Sequence, residues 1–155
     1  MIYEEIADQG LIREKENVFT KKNKGKGRRR TPVISCGELS WGSLTILYGR
    51  NNLENDCLTF RTAGKEDIWL HSKYVPGAHV VLRADPGKEI TEAGILAGAK
   101  VAAWFTAANP GEKITVDYTK RKYVNKPKGG KPGFVTYTHE KALLVEKPSA
   151  LPSEL

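Results

Sequence analysis

Residues 21–30 read K-K-N-K-G-K-G-R-R-R, seven basic side chains without an acid, and a block of like charge repels itself and cannot enter a core. Any folded unit must therefore form on one side of it or the other. Without those seven, the 25 Lys and Arg of the chain fall to 18, equal to its 18 Asp and Glu, so the formal charge of +7 lies wholly in this run. Charge so concentrated points to an anionic partner and says nothing of the fold. The sequence predicts a basic disordered linker over 17–31. Before it, over 1–16, Ile2 and Ile6 at helical spacing predict a short helix that Gly10 interrupts. A folded domain is expected over 32–147, and a disordered tail over 148–155.

The 155 residues, 39% of them hydrophobic, suit one domain with a real core, since domains of this size bury roughly two-thirds of their unfolded surface. No apolar run approaches the roughly 20 residues of a membrane helix, and no signal peptide is visible, so a cytoplasmic protein without membrane contact is expected. Cys36 and Cys57 stand apart, with no C-x-x-C pair and no adjacent His. Reduced thiols, rather than a disulfide or a zinc site, are expected.

From Thr31 onward the chain turns to short segments rich in β-branched and aromatic residues. Val33–Cys36, Leu44–Tyr48, Ile68–Lys73 and His79–Arg83 read as strands, as do Ile114–Tyr118, Phe134–Thr138 and Ala142–Val145. Gly37, Gly42, Gly49 and Pro76-Gly77 punctuate them. Asn51 or Asn52 can cap a helix that gathers Leu53, Cys57, Leu58 and Phe60 on one side. The longest helix is predicted over Thr91–Ala107, with Thr91 as N-cap and Ile95, Leu96, Ala99, Val101, Ala102, Trp104 and Phe105 as its buried surface. Ala93, Gly94, Ala97 and Gly98 would let it lie close to a sheet. The expected fold class is α+β, an antiparallel β-sheet with one long packed helix and one or two short ones behind the basic linker.

Three segments carry residues suited to nucleic acid. In D-I-W-L-H-S-K, residues 67–73, strand alternation puts Ile68 and Leu70 on one face and Asp67, Trp69, His71 and Lys73 on the other. That second face suits base stacking or phosphate binding, and equally suits a solvated strand surface. His79 and Arg83 follow on the next strand. A two-residue turn at Pro76-Gly77 would pair Tyr74 with His79 and set His71 and His79 on opposite faces, whereas a three-residue loop would reverse this. No third ligand completes a metal site. G-R-N-N-L-E-N-D, residues 49–56, places Arg50, Asn51 and Asn55 at a strand-to-helix junction where backbone N–H groups can take an anion, although capping explains the Asn residues as well. Residues 118–133, Y-T-K-R-K-Y-V-N-K-P-K-G-G-K-P-G, hold six basic side chains and no acid. Here Lys120, Lys122, Lys126, Lys128 and Lys131 interleave with Tyr118 and Tyr123, either as a phosphate-binding and stacking surface or as a solvated loop. Neither Asp117 near Lys120 nor His139 beside Glu140 makes a catalytic set, and Gly25-Lys26-Gly27 lacks the strand and helix of a P-loop. No enzymatic activity and no cofactor are expected.

The segments G-R-N-N-L-E-N-D-C-L-T-F, D-I-W-L-H, P-G-A-H-V-V-L-R, V-D-Y-T and K-P-K-G-G-K-P-G, in this order, resemble the NFACT-R domain. This is the C-terminal RNA-binding domain of the NFACT, or RqcH-like, ribosome quality-control factors, some of which carry the older label of fibronectin-binding protein. The resemblance runs from about residue 2 to residue 146, and E-E-I-A-D-Q-G-L-I-R resembles the join to a preceding coiled coil. Ala78 stands where the family usually has Ser, and W-G-S-L lengthens the first hairpin. The resemblance implies an RNA-binding module that contacts tRNA or large-subunit rRNA. In the full-length factor it would support rescue of stalled chains by C-terminal alanine tailing, alongside the family's other domains, which makes this chain an excised C-terminal domain or a standalone relative. A fibronectin-binding adhesin and an intramolecular docking domain are the competing expectations.

Overall fold

Gly42 adopts φ +63, a left-handed conformation that a residue without Cβ enters at little cost, and Gly42-Ser43 thereby close a two-residue hairpin between strands β1 (Gly37–Trp41) and β2 (Leu44–Tyr48). The computed structural model describes residues 35–151. The helix expected over 1–16, the linker over 17–31 and Val33-Ile34 lie outside the described residues. Among the described residues the first strand is Gly37–Trp41, because the hairpin pairs Trp41 with Leu44 and runs back to the pairing of Gly37 with Tyr48, and Ser35 and Cys36 precede it. W-G-S-L is the tip of this hairpin.

Strands β3 (Ile68–Ser72), β4 (Val80–Ala84), β5 (Lys113–Lys120) and β8 (Lys141–Glu146) complete a six-stranded sheet of order β1-β2-β4-β3-β5-β8, antiparallel throughout. Strands β6 (Val124–Asn125) and β7 (Thr136–Tyr137) form a separate two-stranded flap. Helix α1 (Asn52–Cys57) runs on into one π-helical turn over Leu58–Thr62. Asn51 is its N-cap, accepting the Glu54 N–H at 2.9 Å.

Helix α2 (Glu92–Trp104) covers one face of the sheet. Thr91 Oγ1 caps it, accepting from Gly94 N at 3.1 Å, and its Ala and Gly residues form the buried side. A Cβ built on Gly98 would stand 2.7 Å from Leu82 Cδ2, so the helix approaches β4 more closely than any other residue would allow. The main core between them joins Ile46, Leu70, Val80, Leu82, Val101 and Val116, all fully buried. Leu96 was expected to join it but is 41% exposed, on the solvent side of the helix. Lys147 Nζ reaches back to the carbonyls of Thr106 and Ala108, 2.7 Å each, and so satisfies groups just past the helix end. Leu151 packs against the same core.

The other face is covered as well. The π-helical turn and the flap enclose a smaller core of Leu47, Leu58, Trp69, Val81 and Val124, so β3 and β4 are buried on both sides. This overturns the expectation of an exposed Trp69 face: Trp69 is fully buried and His71 and His79 nearly so. Strand alternation separated the two faces correctly but cannot show that a distant segment covers the second one.

A candidate nucleic-acid interface

Pairing of Ile68 with Leu82, Trp69 with Val81 and Leu70 with Val80 sets His71 opposite His79. The two imidazoles therefore share a face, 5.4 Å apart and edge to face at 89°. The expectation that a tight Pro76-Gly77 turn separates them is corrected. The chain instead makes a wider connection from Lys73 to His79, in which Ser72 Oγ donates to the Val75 carbonyl at 2.8 Å and Tyr74 takes φ +70.

The buried polar groups beneath this connection interlock. The Trp69 indole N–H donates to Thr59 Oγ1 at 3.0 Å, and the same oxygen lies 2.8 Å from His79 Nδ1. Thr59 has one hydroxyl proton, so the arrangement that satisfies all three atoms has Thr59 donating to Nδ1 and the imidazole proton on Nε2. Asn55 Oδ1 accepts the His79 backbone N–H at 3.0 Å, fastening α1 to β4. Burial drives the His79 pKa down to about 3. Burial, then the neighbouring His79, also lowers His71 well below its ordinary value. Asp117, opposite His71 on β5, accepts the Tyr137 hydroxyl at 2.7 Å. Burial first, and then this bond, raise the Tyr137 pKa. Asp117 Oδ1 is buried with no hydrogen-bond partner among the described residues.

Above these groups lies a cavity of about 160 Å³, between the β3–β4 connection and the flap, with Lys73, Tyr74, Gly133 and Val135 in its walls. Tyr74 is 84% exposed, and the Lys73 ammonium sits 5.2 Å from the centre of its ring. A non-glycine residue at positive φ is uncommon and persists only where its surroundings hold it. A second depression of about 260 Å³ lies on the side of Gly49, Asn51, Ala78 and Phe105.

The basic candidates divide by what already neutralises them. Lys120 and Lys122 both bind Glu66, at 2.9 and 3.1 Å, and hydrogen bonds from these two lower the Glu66 pKa. Lys126 bridges to Asp56 at 2.7 Å and pins the flap loop to α1. Arg83 holds Asp67 at 2.9 Å and the Thr62 carbonyl at 2.7 Å, while Arg50 pairs with buried Glu54. Lys128 and Lys131 are exposed and form no ion pair among the described residues. Tyr123 is stacked on His139, with ring centres 3.9 Å apart, so one of its faces is occupied. Of the candidate lysines only Lys73 stands in the wall of the cavity, while Lys128 and Lys131 lie on the loop that runs on to Gly133 and Val135 in its other wall. The structure assigns Asn51, Asn55, Asp67 and Arg83 to holding the fold. Sequence reasoning missed Tyr74, Thr59, Tyr137 and Arg121, whose guanidinium lies over the Phe60 ring at 4.9 Å and donates to the Thr59 carbonyl. Only Tyr74, beside Lys73, offered a signal.

Among the described residues no helix is long and apolar enough to cross a membrane. Cys36 and Cys57 form no disulfide, and burial, then Glu54, raise the Cys36 thiol. The chain is 42% identical over 144 residues to the Rqc2 homolog RqcH of Bacillus subtilis, covering 93% of this chain and 24% of that protein. It is 46% identical over 107 residues to the Rqc2 homolog RqcH of Streptococcus suis, covering 67% of this chain and 18% of that one. The chain therefore spans about a quarter or less of the length of these relatives. Its fold is similar to the solved C-terminal part of the fibronectin/fibrinogen-binding protein from Streptococcus suis, with a TM-score of 0.71 at 36% identity, covering 92% of this chain and 57% of that one. The profile of the NFACT protein RNA binding domain matches residues 38–137, from β1 to the last residue of the flap, and the chain belongs to that family.

Proposed function

We propose that this chain is a non-catalytic RNA-binding module of a cytoplasmic ribosome quality-control factor, contacting tRNA or large-subunit rRNA. The observation that carries the reading is the pair Lys128 and Lys131, exposed without ion pairs on the loop that lines the cavity whose other lip bears Lys73 and Tyr74. Cations that no carboxylate neutralises are those that release counterions from a phosphate backbone, and an exposed aromatic ring beside them offers a face to a base. Membership of the NFACT RNA-binding family and the RqcH relatives support the same reading. In the full-length factor the module would hold RNA while stalled chains receive their alanine tails, in contact with that factor's other domains. Crosslinking in cells, followed by sequencing of the attached RNA, tests this. Recovery of tRNA or large-subunit RNA is expected, and neither above background would overturn the proposal.

A second reading, contact with fibronectin or fibrinogen, rests on the name of the Streptococcus suis neighbour. Saturable binding of the chain to immobilised fibronectin in 0.5 M salt, roughly where a Debye length falls to a few ångströms, would favour it over nonspecific charge attraction.

A further inference from the structure

The cavity beside His71 and His79 differs from the lysine surface in one respect: its depth holds no cation. Both histidines are buried and neutral, Tyr137 has its hydroxyl proton committed to Asp117, and Val75 and Val135 supply apolar wall. The cations stand outside, with Lys73 at one lip and Lys128 and Lys131 on the loop that brings Gly133 to the other. A phosphate would find no counter-charge inside, whereas a flat ring would find imidazole and phenol rings to lie against and an apolar wall. At about 160 Å³ the cavity is smaller than the roughly 300–1,000 Å³ that receives drug-sized ligands. That suits a single ring system with its sugar and phosphate left outside. The strained, 84% exposed Tyr74 then has a role at the mouth, where its ring meets the base or its neighbour.

We propose that this cavity receives one unstacked nucleobase of single-stranded RNA, with Tyr74 as stacking face and Lys73, Lys128 and Lys131 on the flanking phosphates. This rests on the RNA-binding reading above and adds to it a place and a form of RNA. Sequence-tolerant phosphate contacts position the strand, and a base drawn into a pocket is what distinguishes a loop or an end from a duplex.

The test uses the full chain and two RNA hairpins with the same stem, closed by the same base-free glycol linker in place of a loop, one blunt and one with a single-stranded 3′ tail, each carrying the fluorescent base 2-aminopurine, in the stem or the tail respectively. The wild type is compared with Tyr74→Ala, which removes the stacking face, and Val135→Trp, which fills the cavity. Wild type is expected to prefer the tailed hairpin and to alter its tail fluorescence. In either variant that preference should fall by roughly fivefold or more, as loss of one base–aromatic contact predicts. If Val135→Trp melts early, the exposed Tyr74→Ala decides the matter, together with the His71 and His79 ring resonances of the wild type. These should shift with tailed RNA and not with blunt RNA. Wild type that binds both hairpins equally, with unmoved histidine resonances, overturns the pocket and leaves the RNA-binding reading intact. Wild type that binds neither overturns both.

Discussion

The Trp69 indole N–H donates to Thr59 Oγ1 across 3.0 Å, joining the middle of β3 to the π-helical turn that covers it. Trp69 has no exposed surface, so its place in D-I-W-L-H is structural. Trp69→Ala is expected to destabilise the fold by about 3–5 kcal/mol through the lost burial and the cavity left behind. Trp69→Phe keeps most of the apolar contact but takes the indole donor from the Thr59 oxygen and leaves it the His79 bond alone, at a smaller cost of about 1–3 kcal/mol. Chemical denaturation of the three proteins checks this order. A Trp69→Ala protein with wild-type stability and weakened RNA binding would instead place the ring on the surface.

The paired histidines give a prediction about pH. Burial sets the folded-state pKa of His79 at about 3 and that of His71 well below the ordinary 6.5. As pH falls below about 6.5 the unfolded chain takes up these protons while the folded chain does not, so stability must fall. Between pH 7 and pH 5 the loss from His79 is about 2 kcal/mol, and His71 adds to it in the same direction. Glu66, whose pKa is lowered from 4.5, stays ionised throughout that window. Denaturant midpoints at the two pH values, in wild type and in His71→Gln/His79→Gln, should show a fall in the first that is much reduced in the second. Equal pH dependence in both would place the titrating groups elsewhere.

Gly98→Ala sets two effects against each other. Ala favours a helix interior over Gly by about 1 kcal/mol, but the new methyl would lie 2.7 Å from Leu82 Cδ2 and 3.3 Å from its Cγ. Leu82 is fully buried in a close-packed interior, so its methyl can give way only by displacing its own neighbours. Overpacking of this kind costs about 1–3 kcal/mol, so the substitution should destabilise, whereas an exposed site on the same helix should respond to the exchange through propensity alone. Melting curves of Gly98→Ala and of Ala93→Gly separate clash from propensity, since the second reports propensity alone.

Helix α2 was legible because its signals are local: Thr91 at the cap, alanines at helical spacing, and two glycines where the sheet comes near. The sheet was legible in its strands but less so in its register. The β-character of the segment ending at Cys36 gave no hint that the Gly42-Ser43 turn makes Gly37–Trp41 the partner of β2. The burial of the second face of β3 could not be read, because the cover over Trp69 comes from Leu58 and from Val124 and Tyr137 on the flap. The lysines looked equivalent for a similar reason. The carboxylates that engage Lys120 and Lys126 lie 54 and 70 residues away, and no local pattern announces such pairs.

That inequality among the lysines is itself testable through salt dependence. Lys128→Ala/Lys131→Ala removes two cations without carboxylate partners. If both contact phosphates, the slope of log affinity against log salt should drop by about 1.4–1.8. Lys120→Ala/Lys122→Ala removes two cations that share Glu66 and leaves that carboxylate facing the RNA. Because Glu66 already neutralises one of the two, the group offers a phosphate about one net positive charge before substitution, and the slope should change less than in the first pair. Lys126 is kept in both, because it ties the loop to Asp56 and its removal would confuse loosening with lost charge. Deletion of residues 21–30, with seven basic side chains, should weaken binding to a cognate RNA and to a random duplex in equal proportion. The Lys128/Lys131 variant should instead lose more affinity for the cognate RNA, since a loop pinned at both ends presents its charges in one geometry. Titration of all three variants against both RNAs over a salt series, with folding checked by circular dichroism, decides between them. If every variant loses affinity simply in proportion to the charge removed, the flap loop contributes charge alone and selects no RNA.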